Sequence, residues 1–280
     1  MEATDDGQVS KQVACGWFGV SRQAYYQAQK QRSAQEAEDE LLLGLVKDIR
    51  QRHPRLGGRK LHYLLQKPMA EVGITRGRDA FFDLLRQHDL LVPTKRSRRR
   101  TTRAGLWRCP NRLAEVAVER TNQVWVSDIT YIQTEQGFAY LSLITDAFSR
   151  YIVGYDLSTS LAAEGCLRAL NRALKQTADL DLAGLIHHSD HGVQYTACAY
   201  TDQLKTAGIL SSMGEVGNCY ENALAERMNG ILKCEYFLDD FFVDLHHAQL
   251  AVEEAIHLYN FERPHCSLGL RTPVNVYLGF

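Results

Sequence analysis

The chain has 280 residues, 45% of them hydrophobic, which suggests about two domains with real cores and excludes a disordered chain. Its longest apolar run, Leu41 to Val46 broken by Gly44, falls far short of the roughly 20 residues that span a bilayer. The polar start MEATDDGQVS does not read as a signal peptide, so a cytoplasmic protein with no membrane partner is expected. The net charge of −1 hides two opposite regions: residues 1–117 carry 22 Lys and Arg against 13 Asp and Glu, and residues 118–280 carry 10 against 20. That split points to a polyanion bound in one region and metal ions in the other.

Residues 1–35 read as an N-terminal helical segment. Val13, Trp17, Val20, Tyr25 and Tyr26 supply the apolar positions, and the Ser21 hydroxyl can cap a second helix. The outline is that of a helix-turn-helix or of a plain helical fragment. Residues 36–94 form a second helical block. Leu41, Leu42, Leu45, Val46 and Ile49 make one face, HPRLGG interrupts it, and Leu61, Leu64 and Leu65 begin the next helix. In its third helix, after Thr75, Phe81, Phe82, Leu84 and Leu85 face a core while Arg76, Arg78 and Arg86 stay outside. Cations there oppose the helix dipole, which a DNA phosphate would relieve. Residues 95–117 read as a basic linker. Lys95 to Arg112 hold eight basic residues and no acidic one, and Lys95, Arg96, Arg98, Arg99, Arg100 and Arg103 are candidate DNA contacts.

From residue 118 the period changes to alternation. Three β-branched and aromatic runs, NQVWVSDITYI, FAYLSLITDAFS and RYIVGYDLS, predict an antiparallel meander. A helix, a short strand (GLIHHSD), a helix, a short strand (ILSS) and a long helix from Asn218 follow, giving βββαβαβα over residues 118–240. The expected fold class is therefore α/β, a mixed sheet flanked by helices and preceded by a small all-α region. Residues 241–280 supply a last helix, stopped by Pro264, and a tail that packs on the core.

Asp128 lies in the middle of an apolar strand, where an ionised group is costly unless paired or metal-bound. Asp190 follows a short apolar strand, and Glu226 lies in the long helix with 35 residues between the two, enough chain to return it to the same sheet end. Three clustered carboxylates repel unless cations hold them. Two Mg²⁺ or Mn²⁺ ions would do so and would serve phosphoryl transfer. Asn222 and Lys233, four before and seven after Glu226, share its helical face. Arg227 is a further candidate DNA contact beside it.

WVSDITYI, HHSDHGVQYT and GNCYENALAERMNGILKCE, with the 35-residue gap and the lysine seven after the glutamate, closely resemble the DDE transposases of the insertion-sequence-three group, of the OrfB type with an integrase catalytic core. The tail YNFERPHCSLGLRTPVNVY and the upstream HPRLGGRKLHYLL are similar to that group as well. The resemblance implies a ribonuclease H-like fold, with Asp128, Asp190 and Glu226 as catalytic and metal-binding residues. It implies metal-dependent cleavage and strand transfer at element ends, with double-stranded DNA as the partner and association with the nucleoid. A homodimer or higher assembly on DNA is expected, with an upstream-frame product or frameshift fusion as a further partner. The alternatives are a hydrolytic nuclease of the same fold and a DNA-binding regulator with an inactive core.

Several other chemistries are not indicated. The chain has no Walker motif, no G-x-S-x-G elbow and no zinc-finger cysteine spacing near His187, His188 and His191. Its seven cysteines form no C-x-x-C pair, so mostly buried, reduced thiols are expected.

Overall fold

The computed structural model describes residues 10–93, 111–112, 116–214 and 223–280. Asn222 and the linker cations Lys95, Arg96, Arg98, Arg99, Arg100 and Arg103 lie outside these residues. The chain forms two compact units, one of residues 1–51 and 61–91 and the other of residues 52–60 and 92–280.

The first unit is helical. Helix α1 spans Lys11–Trp17 and α2 spans Arg22–Arg52. The expected cap is present, with the Ala24 amide donating to Ser21 Oγ at 3.1 Å. The helix runs through residues 35 and 36 without a break, because RSAQEAEDE contains neither Gly nor Pro and is rich in good helix formers. In the first segment Trp17 and Phe18 are 70% and 80% exposed, and Val13, Val20, Tyr25 and Tyr26 are exposed too, while Cys15 is buried. Helices α3 (Gly58–Glu71) and α4 (Arg78–Gln87) complete the unit. Leu42, Val46, Leu61, Leu65, Met69, Phe81, Leu84 and Leu85 are all buried, following the helical spacing that predicts them.

The second unit is built on a mixed sheet. Strands β1 (Val124–Thr134), β2 (Gly137–Asp146) and β3 (Ile152–Ser158) form the antiparallel meander. Helix α5 (Ala163–Gln176) leads to β4 (Ile186–Ser189), and α6 (Cys198–Thr206) leads to β5 (Leu210–Met213). Both of these strands run parallel to β1, so the sheet order is β3-β2-β1-β4-β5. Helix α7 spans Ala223–Glu235. A two-residue strand β6 (Phe241–Phe242), too short to be read as a periodic run, pairs with the far end of β1. Helix α8 (Leu245–Phe261) and a short α9 (Pro273–Tyr277) close the chain. This is the α/β, ribonuclease H-like arrangement expected for residues 118–240.

Strand alternation divides the sheet's side chains between two cores. Ile132, Leu141 and Leu143 pack against Met228, Ile231 and Leu232 of α7 and Val252, Ile256 and Tyr259 of α8. On the other face Trp125, Ile144 and Val153 meet Ala169, Leu170 and Ala173 of α5 and Tyr200 and Leu204 of α6. Gly154 sets the spacing there, since a Cβ at that position would lie 2.3 Å from the Ala169 carbonyl oxygen. The tail joins the same core, with Tyr277 stacking on Tyr151 at 4.7 Å between ring centroids. Of the five described cysteines, Cys15 and Cys166 are buried, but Cys198 and Cys266 are exposed, contrary to the expectation of mostly buried thiols.

Candidate active site

Strand register brings the two aspartates together. Val126 on β1 pairs with His188 on β4, and the same parallel register carried two residues further sets Asp128 level with Asp190, just past the end of β4. Adjacent strands lie about 4.8 Å apart, so the two carboxylates open onto one end of the sheet. Asp128 is half-buried, and its carboxyl is pushed up to about 7, first by burial and then by the nearby charge of Asp190 and, more weakly, Glu226. Burial raises Asp190 as well, while the Gly192 amide, donating to its Oδ1 at 3.0 Å, and the nearby His191 act in the opposite direction.

Helix α7 carries the third carboxylate. Glu226 lies exposed in its first turn. One turn further along the helix, Asn229 Nδ2 donates to Asp128 Oδ2 at 2.7 Å, which fixes the helix against β1. Glu226, Asn229 and Lys233 follow i, i+3, i+7 spacing on one stripe, and Lys233 is half-buried. Asn229 was not among the residues singled out from the sequence, although it lies three after Glu226 on the same helical face. Among the described residues no three His, Cys, Asp or Glu side chains stand close enough together to hold one ion. Repulsion between like charges opposes a closer approach of Glu226 to the aspartate pair. The donor set nevertheless suits a hard divalent cation, consisting of carboxylate oxygens whose ionised forms are held at a cost until a positive charge meets them.

The histidines beside the aspartates have structural partners. His187 is fully buried, and its Nε2 lies 2.6 Å from Ser127 Oγ and 2.9 Å from Tyr200 Oη. Burial, with the neighbouring His188, holds the His187 imidazole down to about 3. His188 Nδ1 lies 3.0 Å from Ser212 Oγ, deep in the sheet and away from solvent.

The remaining basic candidates divide. Arg227 is exposed on α7. Arg78 is exposed and pairs with Asp79 at 2.9 Å. Arg76, expected to stay outside, is instead largely covered, its guanidinium donating to Asp39 at 2.6 Å on α2. The carboxylate supplies the anion that the sequence reading assigned to DNA at this position.

Behind α7 lies a buried ionic cluster. Glu235, the last residue of α7, accepts both arms of the Arg263 guanidinium at 2.7 and 2.8 Å and the Lys60 ammonium at 2.7 Å. This bidentate fork holds Glu235 below the usual carboxylate range even though burial alone would raise it.

Two models described as integrase core domains match this chain, over residues 118–219 and 207–273. An uncharacterized 31 kDa protein of insertion element IS600 from Shigella sonnei is 38% identical over 266 residues, covering 92% of this chain and 95% of that protein. The transposase of insertion sequence element IS629, also from Shigella sonnei, is 39% identical over 159 residues, covering 57% of this chain and 53% of the relative. Among solved structures, the HTLV-2 integrase catalytic core domain in complex with magnesium matches with a TM-score of 0.45 and 18% identity, over 56% of this chain and 97% of that one.

Proposed function

The chain belongs to the integrase-core DDE transposases of the insertion-sequence-three group, and on that premise we propose that it cleaves and joins DNA at the ends of its element, with Asp128, Asp190 and Glu226 as the catalytic carboxylates. The observation that carries the assignment is the parallel register of β1 and β4, which sets two costly carboxylates side by side where α7 is bonded to one of them. Asp128, Asp190 and Glu226 would hold two divalent cations, Mg²⁺ or Mn²⁺. Such ions, when bound, favour the deprotonated attacking oxygen and the departing oxygen at phosphorus.

The chain's own residues do the rest. Asp128 and Asp190 supply fixed negative charge on a rigid sheet, so little reorganisation is needed as the phosphodiester reacts. Asn229 and the Ile129 amide hold the Asp128 carboxyl in place. Lys233 and Arg227, on the same helix as Glu226, would meet the DNA backbone, and Arg78 would add a further exposed cation on the helical unit. Asn222 and the linker cations Lys95 to Arg103 complete the proposed contact set. Double-stranded DNA is the proposed partner. Bringing two DNA ends together calls for at least a dimer, and the upstream-frame product or a frameshift fusion is a further proposed partner. Among the described residues no helix is long and apolar enough to cross a membrane; a cytoplasmic, nucleoid-associated site of action is proposed from the DNA partner.

The test uses labelled duplexes copied from the DNA flanking the gene, with Mg²⁺, Mn²⁺ or EDTA. Metal-dependent joined product is expected from the wild type. Asp190→Asn should lose at least about 10³-fold of that activity, the scale on which single members of a catalytic set fail, while still binding DNA. Joining that persists in Asp190→Asn would refute the assignment. Cleavage with water as the only nucleophile would favour a hydrolytic nuclease instead.

A further inference from the structure

A groove of about 630 Å³ opens beside the carboxylates and has no part in the reading above. Its floor includes Val126, two residues before Asp128 on the same face of β1, and Leu224, two before Glu226 on α7. Its rim is formed by Phe148 and Arg150, from the turn between β2 and β3, and by Ser267 and Arg271 of the C-terminal segment. Through Val126 the groove shares its β1 wall with the active site, at a distance of about two strand residues, or 7 Å.

Its charge runs against its surroundings. Residues 118–280 carry twice as many acidic as basic side chains, yet the described lining holds two arginines and no carboxylate. Among the described residues neither arginine has an Asp or Glu side chain within ion-pair reach. Each is instead aimed by backbone carbonyls. Arg150 donates through Nη1 to Ala147, while Arg271 donates through Nε to Leu268 at 3.3 Å and through Nη1 to Phe280 at 3.1 Å. Guanidinium groups oriented in this way keep further N–H donors for an anion and give up little freedom on binding it. Arg150 also adopts φ +66°, a left-handed conformation natural to glycine, and Tyr259 Oη fixes its carbonyl at 3.1 Å. The turn therefore keeps a cation at a position where the backbone favours the smallest residue. Phe148 presents an exposed ring beside it.

We propose that this groove seats one nucleotide of a DNA strand next to the reacting phosphodiester, with its phosphate on Arg150 and Arg271 and its base on Phe148. The proposal rests on the transposase reading and assigns the C-terminal segment a direct contact with substrate. An apolar floor with an aromatic ring and two oriented arginines matches a nucleotide's two chemistries, a stacking face and an anion. The volume lies within the range of small-ligand sites.

Binding is measured by fluorescence anisotropy on the full chain carrying Asp190→Asn, so that no chemistry intervenes. The probe is a duplex with a single-stranded tail, titrated at several salt concentrations. Arg150→Gln with Arg271→Gln should weaken binding about 5- to 20-fold, and each substitution should lower the salt slope by roughly 0.7, the single-strand value per phosphate. Phe148→Ala should weaken binding without changing the slope. Arg271→Gln alone, on an exposed side chain, guards against misfolding, and its melting temperature should stay at the parent value. An affinity within twofold of the parent, or weaker binding with an unchanged slope in the arginine variants, would overturn the groove assignment. Metal-dependent joining by the wild type would stand in either case, so the two readings fail separately.

Discussion

Arg32 and Glu36 on α2 form an ion pair at 3.0 Å with side chains 82% and 64% exposed; Arg263 and Glu235 form one at 2.7 Å with side chains 3% and 17% exposed. The residue types are the same and the physics differs. On α2 both charges keep their hydration, so forming the pair changes little. Behind α7 both have lost it, and each is tolerated only because the other is present. The contrast extends to the units that contain these pairs. The helical unit keeps most of its charges, Arg76 and Asp39 excepted, outside a small leucine and phenylalanine core, whereas the sheet unit places carboxylates, histidines and arginines inside. A region that binds a polyanion can use solvated charge. A region that performs chemistry needs charge held at a cost, because a carboxylate that is uncomfortable alone is one that a cation stabilises strongly.

The largest effect expected from this contrast follows removal of one buried partner. Arg263→Met should cost about 3–5 kcal/mol in urea denaturation, because Glu235 would keep its charge with only Lys60 to meet it. Replacing Lys60, Glu235 and Arg263 together by apolar residues of similar volume should restore most of that loss. If the triple variant were as unstable as the single one, packing rather than charge would explain the cluster. Next in size, Asn229→Ala should lower joining by about 10- to 100-fold, the usual cost of losing a group that orients a ligand, with Asn229→Gln giving partial rescue. Comparable loss of DNA binding in the alanine variant would move Asn229 out of this positioning role.

His187 gives the contrast a pH dependence. The unfolded chain takes up a proton near pH 6.5, whereas the folded imidazole stays neutral down to about 3. Stability from this group is therefore full above pH 6.5 and falls as the pH drops towards 3, by up to about 1.4 kcal/mol per pH unit. Urea midpoints between pH 7 and pH 5 should show a loss of about 2 kcal/mol, and His187→Asn should flatten that slope. An equally steep decline in the variant would assign the acid sensitivity elsewhere. The smallest change is expected on α2, where Arg32→Ala should stay within about 0.5 kcal/mol of wild type by thermal melting. A loss several times larger would show that the exposed pair holds the helix in place.

What could be read from the sequence was what depends on short spacing. Alternation along β1, β2 and β3 gave the meander, and an aspartate in an otherwise apolar strand marked Asp128 before any geometry was available. Asn229 was equally close at hand, three residues after Glu226, but a lone asparagine on a helix has no pattern to set it apart. The Lys60–Glu235–Arg263 cluster was out of reach for a different reason, since its members are 175 and 28 residues apart and only the folded topology brings them together. Arg76 was misread because a basic residue near a helix start looks the same in sequence whether its anion is a phosphate or, as here, Asp39. Strand β6 follows from tertiary context alone, as two residues cannot show a period.

Lys60 also sets an order in time. It is synthesised 175 residues ahead of Glu235 and about 200 ahead of Arg263. At about 5–20 residues per second, the ribosome adds that much chain in roughly 10–40 s. Until Glu235 has been made, the ammonium lacks this partner. The full cluster can close only after Arg263 has been made, so the ionic contacts at the end of α7 are among the last parts of the unit to form.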